Sequence, residues 1–185
     1  MTDTEKTSRT RSVTVKDVAL LAAVAVVYFI TARLSLLLAP AGTNATPVWP
    51  PSGIGLAVML LGGYSMGPAV FLGALFANIL TLVGIGVDPA HSIAASLVTA
   101  AGNILEGLAG VYLLRRFSGS DNPFGTILNL FRFIGLACLA ATTVSATLGV
   151  LSFSFITGNW RMFQSLWTTW WLGDAVGIVI VTPLI

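Results

Sequence analysis

Charge is scarce in this sequence. Asp, Glu, Lys and Arg make up 9% of the 185 residues, where a soluble domain carries about 25%. So few charges cannot cover a solvated surface, which excludes an ordinary water-soluble globule. Cysteine and histidine occur once each. A lone Cys138 inside an apolar run rules out an internal disulfide and reads as a buried thiol. Zinc-type Cys/His spacing is missing, so no metal is assigned. No nucleophile–base set, phosphate loop or cofactor fingerprint is visible. The chain is therefore read as carrying no catalytic residues and no cofactor. The formal charge is only +2, and the basic residues form no patch, so nucleic acid is not a partner. A second domain, a low-complexity segment and an internal repeat are all lacking.

Apolar residues are what the chain has: 56% of it is hydrophobic and the mean hydropathy is +0.91. Several runs reach the roughly 20 residues that a helix needs to cross a bilayer. A membrane barrel would show short alternating segments instead. The expectation is an all-α integral membrane protein, a bundle of about six transmembrane helices. Residues 1–17 are polar and read as a disordered cytoplasmic tail, and 18–185 as one transmembrane domain. A first span covers Val18–Leu38, too long for a signal peptide and carrying Arg33. The next apolar run, from Ser52 to Tyr64, supplies only about 20 Å of helix at 1.5 Å per residue. It is either short and tilted, or preceded by a Pro-rich segment, Pro47-Val-Trp-Pro-Pro51, that dips inward to complete the crossing. Gly62–Gly67 is a turn, Pro68–Gly84 a third span and His91–Leu114 a fourth. Arg115–Phe124 is a polar loop. Ile127–Phe155 is a fifth run, entering from the interface. After a loop over Ile156–Ser165, Trp167–Ile185 forms the sixth span.

Lys and Arg near span ends set the orientation. With the N-terminus cytoplasmic, inner segments hold Lys6, Arg9, Arg11, Lys16, Arg115, Arg116 and Arg132, and outer loops only Arg161. All five tryptophans, Trp49, Trp160, Trp167, Trp170 and Trp171, then fall outside.

Ionisable groups inside a span are costly and mark function or a tight partnership. On the last span Trp167, Trp170, Trp171, Asp174 and Ile178 share a helical face, at spacings of three and four. Gly173 and Gly177 form a small-x-x-x-small strip for close helix packing. Arg33 and Asp174 lie at matching depth, so a structural ion pair between them is expected. Thr99, Asn103, Glu106 and Gly110 share one face of the fourth span. Thr142, Ser145, Gly149 and Ser152 form a small polar stripe on the fifth, and Asn78 lies in the outer half of the third. Trp49, Trp171, Asn103, Glu106 and Asp174 are expected to border one outward-open pocket. The bland reading is that each polar group only ties two helices together.

Four blocks of this sequence occur in the order of a known family. They are Val48-Trp-Pro-Pro-Ser-Gly-Ile-Gly-Leu-Ala57, Gly73-Ala-Leu-Phe-Ala-Asn78, Gly102-Asn-Ile-Leu-Glu-Gly107 with Leu113-Leu-Arg-Arg116, and Trp170-Trp-Leu-Gly-Asp-Ala-Val-Gly177 with Thr182-Pro183. Together the chain resembles the MASE1 membrane-associated sensor domain over most of residues 20–185. The resemblance implies a sensory input module in the bacterial inner membrane. It also implies a cytoplasmic output domain in cis, of histidine kinase, diguanylate cyclase or cyclic-di-GMP phosphodiesterase type. Trp49, Pro50, Asn78, Asn103, Glu106, Trp171, Gly173 and Asp174 are the positions it carries over. That family pattern continues beyond Ile185, so a trimmed domain is expected, with any enzyme activity outside this sequence. The implied partners are the lipid bilayer, an unidentified small-molecule or membrane-protein signal, the output domain and, as a further option, a second copy in a homodimer. A transport subunit or permease is the rival function, since buried charges and a broken helix suit a solute path as well.

Overall fold

The computed structural model describes residues 14–39, 45–118 and 123–185. Within them the chain forms six helices and no strand. These are α1 (Val15–Leu36), α2 (Pro50–Gly62), α3 (Gly67–Gly84), α4 (Pro89–Phe117), α5 (Ile127–Thr157) and α6 (Phe163–Val181). α1, α4, α5 and α3 with its leading 3-10 turn (Tyr64–Met66) are long and apolar enough to cross a membrane. α2 is shorter and mostly buried, and α6 is less apolar and packs on α2 and α5. The result is a helical membrane bundle whose outer surface is apolar. Val26, Val27, Ile30 and Leu34 on α1, Phe76 and Leu80 on α3 and Leu172 on α6 are exposed, as lipid-facing side chains must be.

Several ends differ from the sequence expectation, each for a local reason. α1 starts at Val15 rather than Val18, because Thr14 and Asp17 form a reciprocal capping box. Asp17 is thus not tail, and residues 1–13 lie outside the described part. α4 starts at Pro89, with the Asp88 side chain accepting from the backbone N–H of Ala90 and His91. It continues through Arg115 and Arg116 to Phe117, so those residues close a helix rather than open a loop. α6 starts at Phe163 after a short 3-10 turn at Trp160–Met162, so the expected loop shrinks as both flanking helices extend into it. α5 is continuous for 31 residues. Its middle, Phe133–Ala141, is a π-helix of nine residues, whose wider turns carry one more residue per loop of backbone than an α-helix.

α2 is short, and the segment before it does dip into the bundle. Pro50 and Pro51 occupy its first turn, where a missing N–H costs nothing. Ahead of them residues 45–49 run against α6. The Trp49 N–H donates to the Gly173 carbonyl at 2.9 Å. Gly173 lies ten residues into α6, about 15 Å from its start. That approach needs glycine: a Cβ at Gly173 would strike the Thr46 carbonyl, and one at Gly177 the Trp49 carbonyl. The small-x-x-x-small strip therefore receives an extended segment as well as a helix, since a Cβ on Gly53 of α2 would hit the Gly177 carbonyl. Thr182 Oγ1 also donates to the Gly53 carbonyl, at 3.1 Å. α2, its lead-in and α6 are thereby locked together.

α4 packs on α2, α3 and α5, and α1 lies on α3 and α2. The core between them holds Tyr28, Leu56, Met59, Val70, Phe133 and Ile178, all essentially inaccessible.

Candidate functional site

At the centre of the bundle polar side chains from all six helices come together. Asp174 of α6 and Glu106 of α4 are both buried, 3% and 2% exposed. Ser52, in the first turn of α2, donates to Asp174 Oδ1 at 2.9 Å. Asp174, Ser52 and Ser145 of α5 lie within hydrogen-bonding reach of the Glu106 carboxyl. Ser145 Oγ donates to Asn103 Oδ1 at 3.0 Å, one turn from Glu106 on α4. Another turn along, Thr99 and Ser152 hydroxyls meet at 3.2 Å. Asn78 of α3 donates to the Ala74 carbonyl of its own helix at 2.9 Å. Tyr28 of α1 lies wholly buried beside Trp49 and within electrostatic range of both acids.

Side-chain satisfaction is incomplete here. Glu106 Oε2, Asp174 Oδ2 and the Tyr28 hydroxyl are buried with no hydrogen-bond partner. A small cavity adjoins them. Thr46 and Trp49 of the lead-in segment, Asn78, Thr99 and Asn103 of α3 and α4, and Ser145, Trp170 and Asp174 of α5 and α6 line it. Its free volume is about 20 Å³, room for one water-sized particle.

The sequence-derived set is thus partly reunited and partly redistributed. Trp49, Asn78, Asn103 and Asp174 share the cavity, and Glu106 sits against Asp174 just beyond its wall. Pro50 contributes by starting α2 rather than by touching the cavity. Trp171 is not in the lining. Its Nε1–H donates to the Leu139 carbonyl in the π-stretch at 2.9 Å, and its ring stacks on Trp167 with centroids 5.8 Å apart. Trp167 in turn donates to Thr147 Oγ1 at 3.0 Å. Trp170 lines the cavity instead, because Gly149 opposite it leaves a slot that any Cβ would fill.

The expected Arg33–Asp174 ion pair is not formed. Arg33 donates to Thr81 Oγ1 of α3 at 2.8 Å. The ion pair found among the described residues is Asp88 with His91, at the exposed start of α4. Matching depth along two spans leaves their separation across the bundle open, and α1 packs on α2 and α3 rather than on α6. Asp88 is held below the usual carboxyl range, first by the His91 backbone N–H and then by the His91 side chain.

Sequence reasoning missed Ser52, Thr46 and Tyr28. Ser52 could have been found, since it directly follows the two prolines that start a short helix. Tyr28 carries no such signal, because its face on α1 is as apolar as the others.

Buried acids and amides thus gather at a small cavity between close-packed membrane helices, and the family match makes the chain a membrane-associated sensory domain. The MASE1 family model matches residues 19–185, and the chain belongs to that family. No curated protein and no solved structure matches it.

Proposed function

We propose that the chain is the sensory input of a bacterial inner-membrane signalling protein, with its signal acting at the polar cavity and its response leaving through α6. The observation that carries this is the lock between α2 and α6 around Asp174. The same helix that presents the acid is tied to the lead-in segment by Trp49–Gly173 and to α2 by Ser52–Asp174 and Thr182–Gly53. A signal with different affinity for two packings of these elements shifts their equilibrium. α6 then carries the shift to its Thr182-Pro183 end, where a cytoplasmic output domain of kinase, cyclase or phosphodiesterase type would receive it.

The test is a fusion of residues 1–185 to a reporter histidine kinase. Asp174→Asn and Glu106→Gln are expected to insert near normal levels and to lock or abolish the kinase response. Equal autophosphorylation in wild type and both variants, at matched membrane levels, would sink the reading.

A further inference from the structure

Away from the buried acids, a groove runs between α3 and α4 on the outer surface of the bundle. Phe71 and Leu72 of α3 and Ile104 and Leu108 of α4 form its walls, with Pro68 and the Tyr64 ring towards one end. Its volume is about 510 Å³, within the range of small-molecule sites. Gly67 also lines it and brings no side chain. A Cβ there would first meet Ile104 and Met59 at 3.9 Å, so the space between the two helices stays open. Leu72, Phe76 and Leu105 are exposed around it, and in a membrane bundle such a surface meets acyl chains.

One end of this groove is basic. Arg115 follows Leu108 by seven residues and Ile104 by eleven, so the three lie on one stripe of α4. The Arg115 guanidinium sits over the Tyr64 ring, 5.3 Å from its centroid, which places it at the mouth of the groove. The ion pair found among the described residues is Asp88 with His91, at the opposite end of α4. Arg115 is therefore not neutralised by an acid there. Arg116 lies instead over the Phe117 ring. From Ile104 to Arg115 the helix rises about 16 Å, close to half of a hydrocarbon core of about 30 Å. The groove is thus one leaflet long, with a cation at its head and apolar walls below.

We propose that the groove holds one anionic phospholipid, with its phosphate on Arg115 and one acyl chain along Phe71, Leu72, Ile104 and Leu108. A guanidinium pairs with phosphate through two parallel N–H···O bonds, and basic pockets between membrane helices suit anionic headgroups. An apolar helix would cover the walls but leave Arg115 unpaired, and a soluble anion would leave the walls empty. With the N-terminus cytoplasmic, the mouth opens to the inner leaflet, whose anionic lipids supply the ligand. Ile104 and Leu108 stand two residues either side of Glu106, so the lipid bears on the helix that presents a buried acid.

The test is native mass spectrometry of the 185-residue chain in detergent, titrated with phosphatidylglycerol or with phosphatidylcholine of the same acyl chains. One phosphatidylglycerol should be retained per chain, about five-fold more tightly than phosphatidylcholine. Arg115→Gln should erase that preference and leave phosphatidylcholine retention unchanged. Arg116→Gln removes the same charge about 100° round the helix and should keep the preference. Leu72→Trp, on the exposed wall of the groove, should weaken retention of both lipids. A measurement on the unaltered chain stands beside these variants. Phosphatidylglycerol carrying a diazirine in its acyl chain, in mixed phosphatidylglycerol and phosphatidylcholine vesicles, should crosslink to α3 around Leu72 and to α4 around Ile104. The proposal is overturned if the two lipids are retained equally, if Arg116→Gln costs as much as Arg115→Gln, or if the crosslinks spread evenly over lipid-facing residues of α1 such as Val26 and Ile30. Such a failure leaves the reporter-kinase result untouched, so the two readings stand or fall separately.

Discussion

Asp174 Oδ1 accepts from Ser52 Oγ at 2.9 Å. Ser52→Ala leaves that buried carboxyl oxygen without a partner, which costs about 1–3 kcal/mol. Thermal melting in nanodiscs should show this as a loss that Ser65→Ala, at an exposed turn, does not share. Arg33 and Asp174 contact different residues, so their neutralisations should be independent. The double change Arg33→Gln with Asp174→Asn is expected to equal the sum of the singles within about 0.5 kcal/mol. Rescue of one by the other would restore the ion pair that the geometry lacks. At Asp88 the sign runs with acid. Its carboxyl is depressed below 3.8 by His91, so its contribution is present above that value and lost as pH falls through the lower folded value. The Tm difference between wild type and Asp88→Ala should accordingly be full at pH 7 and shrink in strong acid.

Among elements, α6 is the one whose sequence pattern meant more than it first showed. Its glycine strip reads as helix packing, yet it admits the backbone of residues 46–50 as well. Gly177→Leu should therefore expel the lead-in segment and lower folded yield in detergent. Gly135→Ala, where nothing lies within 4 Å of the added carbon, should leave the yield unchanged. The π-stretch of α5 is a different case. Its nine residues are all apolar, with nothing in their order to distinguish a π from an α turn. Packing against α4 and α6, and the Trp171 bond to Leu139, accompany the wider turn. Trp171→Phe removes the donor, and hydrogen exchange of amides 139–144 should accelerate.

At the scale of the whole molecule, the seven-to-one distribution of Lys and Arg is the ground for expecting both ends on the cytoplasmic side. Single cysteines at Asn44, Ser120 and Gly158, in a Cys138→Ala background, can be probed with an impermeant thiol reagent in intact cells. Asn44 and Gly158 should label and Ser120 should not. Labelling of Ser120 alone would invert the orientation.

Helical class, membrane residence and the approximate place of each span follow from the sequence by itself, because spanning length and charge placement are one-dimensional constraints that a bilayer imposes on each segment separately. The shortness of α2 was likewise legible, since thirteen residues cannot reach across about 30 Å of hydrocarbon. So were the face of Asp174 and the stripe of Ser145, which helical periodicity aligns without any neighbour. Which faces meet was decided by the tertiary structure. Depth along a helix is periodic in sequence, but the azimuth of one helix around another depends on where glycines permit close approach. Arg33 consequently finds Thr81 instead of Asp174, Trp170 enters the cavity through the slot at Gly149 in place of Trp171, and Glu106 comes to rest against Asp174. Each of these is set by the packing of two or three helices at once, a relation that no single stretch of the chain contains.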